Sequence, residues 1–499
     1  MASPSQQSVQ TAQTVATNLA DDFTALLQKE FKPRDPHERI QQAVQTLAQL
    51  ALKETRIIGG DVLSTLEQFV AQIDAKLSEQ INEILHAPEF QRLESAWRGL
   101  NFLVENAATG ENSQIKVMNV TKKELEGLTR SYRDSKWDQS PLHKQIYDEE
   151  YGTLGGVPFG AFVCDYYFDH SSADIDVMSM LGKIGEDAHA PFLTAAAPSL
   201  LRQDGWSGLA DLRDLSKAFV APEYIRWRSF RESDESRYVA LTMPRFLGRQ
   251  LYGPDGDPVD EFHFVEDVGA GDHDKYLWVN AAYGLGLRVI ESFLDYGWCT
   301  SIRGVNTGGT LYNLPVALFP TDEGGKDAKC PTEISISERR EGELSNAGLF
   351  PLTHRKNTNQ ATFMGGQTAY KPQKMQGSAA SASEELSAKL PYIFISSRFA
   401  HYLKVMVRDW VGASREEGQL ERDLQSWVNQ YVNIHPDSTD PDNSVRQPLR
   451  EAHISVTADP ARPGYYRTEF LLRPHFQFEH MDISLSMVSR LPKSEGGGA

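Results

Sequence analysis

The chain has 499 residues, 40% of them hydrophobic and 24% charged. At about 150 residues per domain that is length for about three domains, with a composition far from disordered or collagen-like chains. Lys and Arg number 50 against 68 Asp and Glu, leaving a net charge of -18 at pH 7, a surface that repels phosphate backbones and anionic bilayers, so neither nucleic acid nor membrane insertion is expected.

The run Arg226, Arg228, Arg231 is one candidate for a local basic patch and reads as solvated surface charge. Cys164, Cys299 and Cys330 form no Cys-x-x-Cys pair and, being odd in number, no disulfide framework. Residues 1–13 are Ser/Gln-rich without a basic or apolar leader region, and no apolar run approaches the ~18 residues of a membrane span. A cytoplasmic location is expected.

After that tail, Val15, Leu19, Phe23, Leu26, Leu27 and Phe31 recur at helical spacing. Lys32 to Pro36 interrupts, and a second helix follows with Ile40, Val44, Leu47 and Leu50. Thr55 to Ile58 is β-prone. Asp61 then caps a long helix through Ile84, and Pro88 opens another to about Glu105 whose apolar stripe is Phe90, Leu93, Trp97, Leu100 and Val104. Ile115 to Val120 reads as a strand, and Thr121 to Glu124 is a capping box for the next helix.

From residue 155 the pattern alternates: strand at Phe159 to Phe168, helix at Asp174 to Ala188, strand at Tyr238 to Thr242, helix at Tyr276 to Leu294. Such alternation predicts an α/β layered fold. Gly377 to Ser383 is small and polar, a linker by composition. Beyond it come a strand-like Tyr392 to Ile395, a helical run from Phe399 to Trp410, and a helix carrying Leu420, Leu424, Trp427 and Tyr431. Two strands, Tyr465 to Leu472 and Phe476 to Val488, close the chain.

Reactive motifs are missing from this pattern. Gly324-Gly325-Lys326-Asp327 lacks P-loop spacing and its hydroxyl, and Gly284-Leu285-Gly286 sits inside a helix, where it reads as close packing. Asp272-His273-Asp274 near His263, and Asp437, Asp440 and Asp442, read as polar turns, since neither has metal-ligand spacing. No catalytic residue, metal ligand or cofactor site is singled out, and the signal for function lies in surfaces. The first is the amphipathic helix 14–31, which either packs on the protein's own core or projects to a partner. The second is the β-prone sequence near both ends, either ordinary edge strands or strands shared with another subunit.

Three separated blocks carry a family resemblance: Glu89 to Leu100 (EFQRLESAWRGL), Leu241 to Gly248 (LTMPRFLG) and Pro331 to Glu341 (PTEISISERRE). With these the chain, from about residue 50 to 490, resembles the large sheath subunit of the bacterial type VI secretion system (the TssC/VipB/EvpB family). The resemblance implies a mixed α/β sheath core related to phage tail sheath proteins, with an additional outer α/β domain and an N-terminal helical extension. The expected division is 1–54 for the extension, 55–380 for central α/β domains including the outer one, and 381–499 for an inner core domain with terminal strands.

It also implies a structural, non-enzymatic role. The subunit would pair with a small sheath subunit (TssB/VipA type) and polymerise with other copies of itself around an inner tube of hexamers (Hcp type), on a baseplate. Contraction would propel the tube, and an AAA+ ATPase (ClpV type) would dismantle the contracted sheath. Carried onto this sequence, Phe23, Leu26, Leu27 and Phe31 are the candidates for ATPase recognition. Arg56, Ile57, Ile58, Phe476, Phe478, Ile483 and Leu485 are the candidates for strands exchanged between subunits. A cytosolic α/β enzyme with a dispersed site and a non-contractile scaffold are the alternatives.

Overall fold

The computed structural model describes residues 62–475 apart from 255, 261, 270, 321–324, 411–416, 434–444 and 459–465. The chain divides into two units, residues 1–83 with 260–264, and the remainder. Of the smaller, the described part is mainly helix α1 (Val62–Leu85), which runs on into the larger unit.

Helix α2 (Pro88–Asn106) begins with Pro88 in its first turn, where a missing N–H costs nothing. Its inner face combines two small residues with Leu103. Ser95, Gly99 and Leu103 are buried, and a Cβ on Gly99 would stand 2.4 Å from the Tyr283 ring. The segment Ile115 to Val120 forms no regular element and pairs with no strand among the described residues, contrary to the sequence expectation. A strand needs a ladder partner, and none of the described residues supplies one there. Thr121 then opens α3 (Lys122–Ser131) with both halves of the expected capping box, the Thr121 side chain accepting from Glu124 N and the Glu124 carboxylate accepting from Thr121 N.

The larger unit is organised on a six-stranded mixed sheet. Its strands are β1 (Phe162–Phe168), β2 (Phe192–Ala196), β3 (Val239–Met243), β4 (Thr310–Leu311), β5 (Phe350–His354) and β6 (Ala361–Phe363), in the spatial order β1-β2-β3-β5-β6-β4. The first four in that order run parallel and the last two pairings are antiparallel. Parallel strands are covered on both faces: β2 and β3 are buried at every residue. Helices α4 (Ser172–Ala188) and α5 (Ala281–Tyr296) cover them, one core holding Met178, Ile184 and Trp227, the other Leu285, Leu311 and Phe363.

The helix expected from Tyr276 starts later, at Ala281, because Trp278 and Val279 pair antiparallel with Phe246 and Leu247. Asn280 caps it, accepting from Ala282 N at 2.9 Å. Gly284 and Gly286 do serve close packing, since a Cβ on either would lie 2.6 Å from Leu311 or Val163.

The C-terminal third corrects two expectations. The small polar stretch at 377 is no open linker: Ser378–Ser387 is helix α6, its Ala, Ser and Glu residues being compatible with a helix once Gly377, at φ 110°, has turned the chain. Tyr392 to Ile395 is not a strand but part of helix α7 (Leu390–Asp409). All four residues are buried, and a short run apolar on every side has no period that separates a strand from a buried helix. Helix α8 (Glu417–Val428) follows, and then a hairpin of β7 (Leu449–Ala458), which sequence reading overlooked, and β8 (Tyr466–Pro474).

Candidate interaction surfaces

The residues singled out for partner binding, Phe23, Leu26, Leu27, Phe31, Arg56, Ile57, Ile58, Phe476, Phe478, Ile483 and Leu485, all lie outside the described residues, as do Asp437, Asp440 and Asp442. The chain immediately before Phe476 is the β7–β8 hairpin.

Strand β7 packs Leu449, Ile454 and Val456 on an aromatic core of Trp298, Phe399, Trp427 and Tyr431, in which the Trp298 and Phe399 rings stack at 4.6 Å between centroids. Helix α7 is therefore held in the interior through Phe399 and Leu403. On one side β7 pairs with β8, Ile454 opposite Phe470 and Val456 opposite Thr468. Its other edge is sealed by side chains of α8. The Gln425 amide donates to Ala452 O at 3.0 Å and accepts from Ile454 N at 2.8 Å, while the Glu421 carboxylate accepts from Val456 N at 3.1 Å. No described strand pairs with the outer edge of β8, and Tyr466, Phe470 and Leu471 are exposed along that strand. Among the described residues the hairpin thus has one sealed and one unpaired edge, and an unpaired edge is the geometry to which a further strand can add.

A second surface is the outer face of α2. The sequence places Phe90, Leu93, Trp97, Leu100 and Val104 in one apolar stripe, and the structure leaves much of that stripe exposed: Leu93 is 56% exposed, Trp97 66% and Val104 45%. The small face fits against the body instead, because Gly99 lets the helix approach Tyr283 and Ser95 Oγ donates to Trp278 O at 2.8 Å.

The charged groups of the interior have structural partners. Arg249 is forked onto Glu266 at 2.6 and 3.0 Å and also donates to Glu94 at 2.8 Å. Arg245 is forked onto Glu333 at 2.8 and 2.7 Å, and His273 Nε2 lies 3.0 Å from the same carboxylate. Burial alone raises the Glu333 carboxyl, but hydrogen bonds from Arg245 and His273 hold it below the usual range. His273 is thus part of an ion-pair cluster.

The run at 226–231 is not uniformly solvated: Arg231 is buried, donating to Ala369 O and Asn346 O, Arg228 caps the carbonyls of Phe219 to Ala221, and Arg226 pairs with Asp176. An open groove of about 310 Å³ beside it is lined by Arg130, Arg133 and Arg226 together with Glu126 and Asp176. Burial pushes the Cys164 and Cys299 thiols up to about 12, the opposite of an activated nucleophile.

The second and third sequence blocks meet in space. Leu247 N donates to Pro331 O at 2.8 Å and Glu333 N to Arg245 O at 2.9 Å, so the Arg245–Glu333 fork ties one block to the other.

Residues 67–370 match the family model described as EvpB/VC_A0108, tail sheath N-terminal domain, and residues 379–491 that of the EvpB/VC_A0108 tail sheath gpW/gp25-like domain. The chain belongs to the EvpB tail sheath family. A curated member, the type VI secretion system sheath protein TssC1 of Pseudomonas aeruginosa, is 45% identical over 497 residues, which is 99% of this chain and 100% of that protein. Among solved structures, the baseplate of the anti-feeding prophage aligns over 76% of this chain and 84% of its own at 10% identity and a TM-score of 0.40. The contracted helical sheath of the same particle aligns over 63% and 67% at 9% identity and a TM-score of 0.30. These scores are too low to define a common fold by themselves, so membership of the EvpB family rests on the sequence matches.

Proposed function

We propose that this chain is the large structural subunit of a type VI secretion contractile sheath, with a mechanical rather than catalytic role. The full-length likeness to a sheath protein of that system carries the reading, and the β8 edge, unpaired among the described residues, supports it. In this reading the chain works in the cytoplasm, pairs with a small sheath subunit and polymerises with further copies around an inner tube of hexamers above a baseplate.

Neighbouring copies donate strands built on Arg56 to Ile58 and on Phe476, Phe478, Ile483 and Leu485, which add to sheets such as the β7–β8 hairpin. Main-chain hydrogen bonds in a shared sheet act as a tether, so subunits can rotate during contraction without separating. Phe23, Leu26, Leu27 and Phe31 form the helix face that an AAA+ ATPase grips on the contracted sheath. Residues 1–54 serve as the extension, 55–380 as the central and outer domains, and 381–499 as the inner core.

Co-expression with the small subunit, read by negative-stain microscopy, tests this proposal: long tubes are expected from the pair and aggregates from the chain alone. A monodisperse monomer unaffected by the small subunit would overturn it. Leu26→Asp with Leu27→Asp should leave tubes intact and abolish ATPase-driven disassembly, and unchanged disassembly removes the helix from that role.

A further inference from the structure

Helix α7 uses two opposite faces. Phe399 and Leu403 enter the aromatic core with Trp298. On the other face His401, Lys404 and Arg408 line up at helical spacing and reach across from the C-terminal family domain to the N-terminal one. His401 Nε2 lies 2.8 Å from Ala188 O at the end of α4, Lys404 Nζ donates to the Tyr147 hydroxyl at 3.3 Å, and Arg408 donates to Thr153 O at 2.7 Å.

The receiving side is unusual at each contact. Lys144–Tyr151 is a π-helix, a form otherwise met mostly as single turns. Its Tyr147 and Tyr151 rings face Lys404, whose ammonium stands 4.7 and 3.5 Å from their centres. His189 closes α4 in the left-handed region, at φ 51°, and its ring lies 5.9 Å from that of Tyr151 and 6.2 Å from that of His401. His401 and His143 are both buried, and neither Nδ1 has a hydrogen-bond partner among the described residues. With Nε2 donating to Ala188 O, a second proton on His401 would sit on Nδ1 with no acceptor, beside Arg398 and Lys404. The opposing charge comes from Asp187, which is exposed and already engaged by His143 Nε2 at 3.2 Å. Asp148 lies by Tyr147, and Glu186 lies among Asp234, Glu235 and Arg237.

We propose that this cluster is an acid-released clasp between the two family domains: protonation of His401 and His189 frees the His401 face of α7 from α4 and the π-helix, while the Trp298 stack and the central sheet hold. Burial, reinforced by Arg398, His189 and Lys404, pulls His401 down to about 4 against the hydrogen bond to Ala188 O. Burial and Lys404 likewise lower His189, against Asp187. A base held below its ordinary value of 6.5 takes up its proton on opening, so closure is strongest above that pH and weakens as pH falls toward the folded value. For His401 alone the opening constant should rise roughly 50-fold between about pH 7.5 and about pH 4.5.

Hydrogen exchange of the full-length protein, read by mass spectrometry and corrected for the intrinsic pH dependence of exchange, tests the clasp. Over that pH range, peptides covering residues 144–156 and 400–409 should lose roughly 50-fold more protection than peptides of β2 and β3. His401→Gln with His189→Asn keeps a donor for Ala188 O and a residue that tolerates the left-handed backbone, and should reduce the excess loss to under about threefold. Exchange of the His401 C2 proton in the wild type reads its pKa without any variant, and a value at least about one unit below the ordinary one is expected.

Equal loss of protection in β2 and β3, an excess loss under about threefold in the wild type, an undiminished loss in the double variant, or a His401 pKa at or above the ordinary value would each overturn the clasp.

Discussion

Arg245→Met isolates what the junction between the second and third blocks contributes. The Glu333 side chain is fully buried, and its carboxylate is held by two hydrogen bonds from the Arg245 fork and one contact from His273. Removing the guanidinium strands a buried carboxylate, which typically costs about 3–5 kcal/mol. Because the Arg245 side chain is 33% exposed and water can enter from that side, the low end, about 3 kcal/mol, is expected.

Glu333→Met should cost less, since Arg245 can turn outward, and the double variant should cost no more than Arg245→Met alone, leaving a coupling of about 2 kcal/mol. The assay is urea unfolding of the co-purified complex followed by tryptophan fluorescence. A coupling under about 0.5 kcal/mol would show the two residues to be independent and refute the argument.

The pH dependence carries the same sign. A carboxyl held below its ordinary range in the folded protein contributes stability that is present above the unfolded value of about 4.3 and is lost as pH falls through the lower folded value. The wild type should therefore lose stability more steeply than Arg245→Met in that acidic window.

Three further outcomes follow from the packing and from the proposed assembly. Gly286→Val places a branched side chain where even a Cβ would lie 2.6 Å from Val163, and should lower the urea midpoint by an amount corresponding to about 1–3 kcal/mol; an unchanged midpoint would mean that α5 is free to move off the sheet. At pH 8, Ellman's reagent should react far more slowly with Cys164 and Cys299 in the native protein, where partial burial raises both thiols, than in urea, where all three titrate; native labelling of Cys164 as fast as in urea would contradict its raised pKa. Deleting Met1 to Gly60 should block polymerisation while sparing the heterodimer, measured by electron microscopy and co-purification, and tubes of normal length would exclude strand donation from that segment.

Local rules worked where one residue has one job. The Thr121 capping box, Pro88 at a helix start and the two glycines inside α5 are each visible in the sequence because their chemistry acts over a few residues. What the sequence concealed was orientation and company. The α2 stripe has the period of a buried face, yet which face a helix buries depends on what the rest of the body offers, and Tyr283 leaves room only for Gly99. Ile115 to Val120 has the composition of a strand, but no described residue pairs with it. β7 escaped because His453, Ser455 and Thr457 dilute its apolar positions, although Ile454 and Val456 keep the alternation.

The polar lid that α8 places over β7 has a consequence for connectivity. With Gln425 and Glu421 occupying one margin of the hairpin, no strand can add on that side, and among the described residues only the β8 margin is unpaired. In the strand exchange proposed above, that leaves one socket per molecule at this locus, and links with a single socket would build chains and closed lattices without branching there.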